Sequence, residues 1–147
     1  MIRTAVVLGA LLLGIGAVAA QQDAVKNAQM VMKANSRVFF ATLAPMVKGE
    51  KPFDMAAVTE ALAVFDDTAK KLATLFPVSM KGMKTEGDYS TSPKIWEDKA
   101  GFDAAIATYA KAVSDAKASI KDLDTLKAAG IGKSCLGCHE TFRVKNS

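Results

Sequence analysis

One short run near the end of the chain holds the residues best suited to chemistry. Cys135-Leu136-Gly137-Cys138-His139 has the spacing C-x-x-C-H, and it contains both cysteines and the only histidine of the 147-residue sequence. If this run is helical, Cys135 and Cys138 lie one turn apart and His139 lies on the same face. Two thiols can then bond to the two vinyl groups of a haem while the imidazole reaches its iron. The motif therefore predicts a covalently attached c-type haem.

Similar residues also occur in two other kinds of site. A thioredoxin-type dithiol follows a strand in a βαβ unit, whereas this motif lies about a dozen residues from the end of a chain of helical character. A zinc site needs a fourth ligand, which only a carboxylate could supply here. No catalytic acid, base or nucleophile stands out elsewhere, so we expect a protein that is not an enzyme.

The composition fits one globular domain without a nucleic-acid partner. Hydrophobic residues make up 50% of the chain and charged residues 23%, which is enough apolar material for a single core. The net charge is +4 at pH 7, but the basic residues are scattered, and the nearest approach to a basic run is Lys70-Lys71. Proteins that bind nucleic acids instead concentrate basic residues in a run or stripe.

Residues 1–20 have the pattern of a secretory signal peptide. Arg3 precedes an uncharged apolar stretch over residues 5–18, small residues follow, and the polarity then rises abruptly. The stretch is shorter than the roughly 20 residues that span a bilayer, so a membrane anchor is the weaker alternative. We expect cleavage after Ala20, which leaves a periplasmic domain of residues 21–147 with net charge +3 and no membrane association.

The rest of the chain has apolar residues at helical spacing. One stripe predicts a helix from Asp23 to Lys48, stopped by Gly49 and bent or frayed near Pro45. A second predicted helix begins at Asp54, a good N-cap, and ends before the next proline.

Two more helical segments follow a glycine- and serine-rich loop over residues 78–92. The third helix is expected to start with Ser92 as its cap and Pro93 at its first position. The fourth is less regular, with a turn near residues 122–127 before a helix over residues 134–145. No segment alternates apolar and polar residues long enough to predict a strand. Amphipathic helices with short connections predict an all-α, antiparallel up-down four-helix bundle, with the haem attached near the C-terminus.

The motif and the helices together resemble the cytochrome c prime family, the class II c-type cytochromes. A C-x-x-C-H at the C-terminal end of a bundle, followed by Arg143 in a C-x-x-C-H-x-x-x-[RK] run, is typical of that family. Further matching segments are Lys48-Gly49-Glu50, Leu75-Phe76-Pro77 and Pro93-Lys94-Ile95-Trp96. The resemblance covers residues 21–147 and implies one covalent haem c, with thioether bonds to Cys135 and Cys138 and with His139 as the proximal iron ligand.

The sixth iron ligand decides which chemistry such a protein performs, and Met32 is the candidate. Met32 lies on the apolar stripe of the first helix, so its position alone is compatible with core packing or with ligation. Met30 is expected to point outward, whereas Met80 and Met83 lie in the loop and are alternative ligands. The resemblance implies a ligating methionine at the Met32 position in low-spin members and a bulky non-ligating residue in cytochrome c prime itself. The run over residues 29–35 resembles the low-spin branch.

Arg143 follows His139 by four residues, so on a helix it would lie beside the imidazole or reach a haem propionate. A solvated arginine is the alternative. Phe39, Phe102 and Phe142 are expected to line the haem pocket.

These features predict a periplasmic electron-transfer protein with a low-spin, His/Met-ligated haem and with redox proteins as partners. A high-spin, five-coordinate protein that binds nitric oxide or carbon monoxide is the alternative, and a haemless dithiol oxidoreductase is a third interpretation. The resemblance to the cytochrome c prime family also implies that two copies can pair through their first two helices, as members of that family often do. A homodimer is therefore an option, although the sequence has no obvious exposed apolar seam that demands one.

Overall fold

Helices make up most of the computed structural model, which describes residues 6–146. Within that range seven α-helices follow one another: α1 (Val6–Val38), α2 (Ala44–Lys48), α3 (Met55–Leu75), α4 (Lys94–Glu97), α5 (Lys99–Ser119), α6 (Leu123–Ala129) and α7 (Ile131–Phe142). A π-helical turn at Phe39–Leu43 joins α1 to α2, and a 3₁₀ turn occupies Val78–Met80. Two short strands are also present, β1 (Tyr89–Thr91) and β2 (Arg143–Lys145).

The helices of the described chain form four rods. The first rod consists of α1 and its continuation α2, and the other three are α3, α5 and α7. Helix α3 packs against both α1 and α5, and α5 packs in turn against α7. The predicted all-α, antiparallel up-down four-helix bundle is confirmed. Because α7 is the last rod, the C-x-x-C-H motif lies near the C-terminal end of the bundle, as expected.

The main core runs along the inward faces of these rods. Phe65 of α3 is fully buried, and Met80 of the 3₁₀ turn is 1% exposed. Burial of side chains of this size contributes about 1.5–3 kcal/mol each relative to exposure. A smaller cluster, formed by Ile95, Phe102 and Phe142, lies where α4, α5 and α7 meet.

The first rod begins earlier than the predicted Asp23 but keeps its predicted end. Residues 6–20 belong to α1 because leucine and alanine, which are frequent in that stretch, favour helix. Pro45 lacks a backbone N–H, and the chain accommodates it with the π turn just before it rather than with a frayed end. Because Pro45 has no N–H to donate to the carbonyl of Ala41, four residues earlier, that carbonyl accepts a hydrogen bond from Lys51 Nζ instead (3.0 Å).

The predicted signal peptide, residues 1–20, lies partly outside the described residues. Residues 1–5 are not described, and residues 6–20 form the first part of α1. The predicted cleavage point after Ala20 is therefore inside a helix that continues to Val38. Among the described residues, no helix combines the length and the apolar character needed to cross a membrane.

An aspartate is the N-cap residue of two of the rods, α3 and α5. Asp54 is the predicted N-cap of α3, and its carboxylate accepts hydrogen bonds from the backbone N–H groups of Ala56 and Ala57 (2.9 and 3.2 Å). The third predicted helix is interrupted, however, because Asp98 caps a new helix after the single turn of α4. Its carboxylate accepts a bond from the backbone N–H of Gly101 (2.9 Å) and fills the space that a Cβ at Gly101 would need.

The approach to the motif is more helical than predicted. Residues 123–129 form α6 rather than a turn, since Asp122 and Thr125 make a reciprocal capping box at its start. Gly130 then adopts a left-handed conformation, with φ 59°, which few other residues adopt without strain. Helix α7 starts at Ile131, three residues earlier than predicted.

A two-stranded ladder replaces the predicted helical end of the chain. Helix α7 stops at Phe142, and β2 pairs antiparallel with β1 in the register Tyr89–Lys145, Ser90–Val144 and Thr91–Arg143. The expectation that the chain contains no strand is therefore wrong. Strands of three residues are too short to show an alternating pattern in the sequence. The ladder ties the loop after α3 to the end of the helix that carries the motif.

Candidate haem site

The three reactive residues of the C-x-x-C-H motif share one face of α7. Cys135, Cys138 and His139 are all half-buried, whereas Leu136 and Glu140 on the opposite side are exposed. Neither cysteine forms a disulfide bond. A single helix therefore brings the predicted donor set together, as the i, i+3, i+4 spacing requires.

Different clusters pack against the two cysteines. Cys135 lies against the main core, whereas Cys138 lies against the smaller cluster of Ile95, Phe102 and Phe142. The rings of Phe102 and Phe142 meet edge to face, with 5.1 Å between their centroids. Two of the three phenylalanines expected to line the pocket thus belong to the cluster that contacts the motif.

The third phenylalanine, Phe39, lies at the π turn of the first rod and reaches the beginning of α7. A Cβ added at Gly132 would come within 3.0 Å of the Phe39 ring. The absence of a side chain at Gly132 therefore lets the first rod approach the motif helix closely.

Burial raises the pKa of both Cys135 and Cys138 above that of an ordinary thiol. A dithiol oxidoreductase needs the opposite, a lowered thiol pKa that makes the attacking thiolate available. The motif also lies within a helix, and the described residues contain no βαβ unit. The geometry therefore gives the dithiol interpretation no support.

Burial lowers the pKa of His139, and the nearby positive charge of Arg143 lowers it further. Both effects favour the neutral imidazole, which is the form that binds a metal.

Arg143 is not on the helix, contrary to the expectation. It is the first residue of β2, although its backbone N–H still donates to the carbonyl of His139. Its guanidinium lies over the ring of Tyr89, 4.0 Å from the ring centroid. The helical spacing argued for Arg143 is therefore wrong, but its charge remains close enough to His139 to affect the imidazole.

The end of the chain is held by a tail clamp, formed by Asn146 and the loop residues it bonds, which the sequence did not indicate. Asn146 Nδ2 donates to the carbonyls of Thr85 (3.1 Å) and Gly87 (2.6 Å), and its Oδ1 accepts from Ser90 Oγ (2.6 Å). Its backbone N–H donates to the carbonyl of Asp88 (2.8 Å). The clamp fixes the segment that follows the motif helix.

Met32 lies on the half-buried face of α1. Its side chain packs against the main core, the same cluster that Cys135 contacts from α7. Met30, two residues earlier, is 63% exposed, as predicted. Of the two loop methionines, Met80 is 1% exposed and packed inside the core, and Met83 is partly buried against it.

A polar cluster of Asn35, Thr68 and Tyr109 lies inside the bundle, and sequence reasoning missed it. Asn35 sits on the predicted apolar stripe, and its Nδ2 donates to the carbonyl of Val31 (2.8 Å) and to Thr68 Oγ1 (2.7 Å). Tyr109 OH donates to Asn35 Oδ1 (3.1 Å). Burial raises the pKa of Tyr109, and the adjacent Cys135 thiol adds to this rise. A lone asparagine on an apolar stripe was the only signal.

The donor chemistry on α7 fits a covalently bound haem. Two half-buried thiols one turn apart and an imidazole beside them are groups of the kind that can form two thioether bonds and a proximal iron bond. Apolar and aromatic side chains pack around both cysteines and limit the access of water. Within residues 6–146, no group of three His, Cys, Asp or Glu side chains has the arrangement that a zinc site needs.

Comparison with known proteins identifies the family. The sequence model of cytochrome C′ matches residues 23–143. Cytochrome c-556 of Rhodopseudomonas palustris is 55% identical over 148 residues, covering 99% of both chains. Cytochrome c′ of the same organism is 40% identical, also over 99% of both chains.

The fold gives the same result. An NMR-validated structural model for oxidized R. palustris cytochrome c556 superposes with a TM-score of 0.75 and 54% sequence identity, covering 86% of this chain and 99% of that chain. The chain therefore belongs to the cytochrome c′ family, and its cofactor is a covalently attached haem c.

Proposed function

We propose that this protein is a periplasmic electron carrier in which Cys135 and Cys138 hold the haem and His139 and Met32 ligate its iron. The observation that carries the proposal is that Met32 and Cys135, from opposite ends of the chain, pack against one core cluster. Helix α1 and the motif helix α7 thereby border a common region of the bundle.

Cys135 and Cys138 are the proposed anchors, and His139 is the proposed proximal ligand. Each thiol would form one thioether bond to a vinyl carbon of the haem. Their half-buried position on one face of α7, with neither engaged in a disulfide, supports this role. Two covalent bonds from one helical turn also keep the imidazole of the next residue in a fixed position relative to the attachment point.

Met32 is the proposed distal ligand. Its thioether sulfur is a soft donor, and coordination by methionine and histidine favours ferrous iron and raises the reduction potential. The chain is 55% identical to cytochrome c-556 and 40% identical to cytochrome c′ of the same organism. This difference supports the low-spin branch, which the run over residues 29–35 also resembles.

When bound, the haem supplies one iron that alternates between the ferric and ferrous states. The task of the chain is to keep the surroundings of that iron nearly constant between the two states. The proposed ligands stand on two rods of a closely packed bundle, which resists displacement. Phe102 and Phe142 keep the region beside Cys138 apolar, so little water has to reorient when the charge changes.

A gas-binding protein is the second candidate function. The 40% identity to cytochrome c′, over 99% of both chains, favours it. The resemblance implies that cytochrome c prime itself leaves the distal position without a protein ligand. Met32 would then only fill the core, and nitric oxide or carbon monoxide would bind directly.

We further propose that residues 1–20 are removed as a signal peptide and that residues 21–147 form the mature domain. The cytochrome C′ match begins at residue 23, just after the expected cleavage point. Thioether attachment of haem normally takes place outside the cytoplasm, which agrees with export. Redox proteins are the expected partners of the mature domain.

The absorption spectrum of the holoprotein, compared between Met32→Ala and Met30→Ala, tests the proposal. Met30 is the matched control because it is the same residue type on the same helix but is 63% exposed. We expect low-spin bands and the weak far-red iron–methionine band in the unchanged protein and in Met30→Ala. Met32→Ala should be high-spin and should bind carbon monoxide.

Two results would contradict the proposal. A broad high-spin spectrum in the unchanged protein would favour the gas-binding function. A low-spin spectrum that survives Met32→Ala would show that another residue is the distal ligand.

A further inference from the structure

Three helices meet at the Asn35–Thr68–Tyr109 cluster. Helix α1 contributes Asn35, α3 contributes Thr68 and α5 contributes Tyr109. Thr68 is 3% exposed and Tyr109 is 6% exposed, whereas Asn35 is half-buried, so these hydrogen bonds lie at the edge of the core, largely shielded from water. Buried polar groups without partners destabilise a protein. Here they are matched, since no buried side-chain nitrogen or oxygen in the described residues lacks a partner.

The cluster is linked to both sides of the proposed haem site. On α1, Asn35 lies one turn after Met32, and its amide bonds the carbonyl of Val31, the residue just before Met32 (2.8 Å). On α5, Tyr109 belongs to the same core cluster against which Cys135 of α7 packs. Because α7 packs against α5, the Tyr109–Asn35 bond (3.1 Å) connects the helix that carries Met32 to the helix that supports the motif.

This connection matters because the packing contacts pass from α1 to α3, from α3 to α5 and from α5 to α7. Phe39 of the first rod meets α7 directly at Gly132, but Met32, two turns earlier on α1, is related to α7 through the intervening helices α3 and α5. Apolar packing is non-directional and specifies register weakly. Hydrogen bonds between buried side chains require particular distances and angles, so they fix register more strongly.

We propose that Asn35 and Tyr109 are positioning residues for the distal iron ligand. Their hydrogen bond determines how firmly Met32 closes the distal position, and so how readily a small gas molecule enters it. The inference rests on the proposed function, because it requires Met32 to bind the iron. Weakening the bond increases the fraction of molecules in which Met32 is released. The apparent affinity for a competing ligand then rises in proportion to that fraction.

Carbon monoxide binding to the ferrous holoprotein tests the inference. Tyr109→Phe removes one hydroxyl and keeps the ring, and it should lower the Kd for carbon monoxide about three- to tenfold. Tyr89→Phe is the matched control, because it removes the hydroxyl of the only other tyrosine from a ring that is 46% exposed. Its Kd should stay within about twofold of the unchanged protein.

A second pair of variants tests the same cluster through another side chain. Thr68→Val replaces the hydroxyl that accepts from Asn35 with a methyl group of similar shape, and it should also lower the Kd. Thr108→Val is its control, since the Thr108 hydroxyl is exposed and bonds only the carbonyl of Ala104 in its own helix (2.9 Å). That control should leave the Kd unchanged.

Combination with Met32→Ala separates a positioning role from a purely structural one. In that background no methionine remains to be released, so Tyr109→Phe should change the Kd less than about twofold. An unchanged Kd in Tyr109→Phe alone, or an equal change in both backgrounds, overturns the inference. If Met32→Ala instead leaves the low-spin spectrum intact, the proposed function fails first, so the two failures are distinguishable.

Discussion

The two sides of the proposed haem site are built in different ways. On the proximal side, Cys135, Cys138 and His139 come from five consecutive residues of one helix. On the distal side, Met32 is a single residue about a hundred positions earlier in the chain. Local helical spacing alone brings the proximal groups together, whereas the position of Met32 depends on how α1, α3 and α5 pack.

The contacts that support the two sides also differ. The motif helix is flanked by the Phe102–Phe142 cluster and followed by the tail clamp, whereas the Met32 helix is joined to α3 and α5 by partly buried hydrogen bonds of Asn35. Variants on the proximal side should therefore cost haem attachment or stability. Variants on the distal side should change ligation while the haem stays attached.

Removal of both anchors should have the largest effect. We expect the double variant Cys135→Ala/Cys138→Ala to retain no covalently bound haem, because the chain has no other thiol. Haem staining after denaturing gel electrophoresis measures this directly. Met32→Ala is the distal counterpart and should stain like the unchanged protein. Covalent haem in the double-cysteine variant would show that Cys135 and Cys138 are not the attachment points.

The aromatic cluster beside Cys138 should give the next largest effect. Phe102 is 4% exposed and meets Phe76 and Phe142 edge to face, at 5.8 and 5.1 Å between ring centroids. Phe102→Ala should lower the free energy of unfolding by about 3–5 kcal/mol. Phe40→Ala, on the first rod and 69% exposed, is the matched control and should lower it by less than about 1 kcal/mol. Equal losses, measured by guanidinium denaturation, would contradict the assignment of Phe102 to the site's support.

Loosening the tail clamp should have a smaller and local effect. Asn146→Ala removes the side-chain bonds to Thr85, Gly87 and Ser90. Amides of the β1–β2 ladder should then exchange with solvent about tenfold faster, whereas those of α3 should not change. Hydrogen exchange followed by mass spectrometry measures both regions in one experiment. Uniformly faster exchange would mean that the clamp supports the whole bundle rather than the end of the motif helix.

The smallest effect should appear at acid pH, at the start of α6. Hydrogen bonds from Thr125 hold the pKa of Asp122 below its usual range. The folded pKa is lower than the unfolded one, so the charged cap stabilises fully above the ordinary carboxyl pKa and loses this contribution as pH falls through the folded pKa. Asp122→Asn keeps an accepting oxygen but does not titrate. Its Tm should therefore fall slightly less steeply than that of the unchanged protein between about pH 5 and pH 3, and an identical slope would count against the cap.

The reactive residues and the cap of α3 could be predicted from the sequence, but the break between α4 and α5 could not. The motif's shared face and the Asp54 cap follow from helical periodicity and from a short polar side chain, both of which are local properties. The break at Asp98 is also local, but a continuous helix and a new cap compete there, and the stripe of apolar residues favoured the wrong one.

Two long-range features could not be predicted, although the bundle itself could. The β1–β2 ladder pairs segments more than fifty positions apart, and neither is long enough to show a pattern. Asn35 has partners 33 and 74 positions away, so only the packed bundle explains why a polar residue occupies an apolar stripe.

Iron ligation by Met32 has a direct signature in the NMR spectrum. A methionine methyl group held over a haem is shifted far upfield by the ring current in the reduced, low-spin state. In ferrous holoprotein with ¹³C-labelled methionine methyls, one of the methionine signals should lie far upfield of the others. That signal should vanish in Met32→Ala and persist in Met30→Ala. The absence of any such signal, or its loss in a Met80 variant while Met32→Ala retains it, would show that Met32 does not bind the iron.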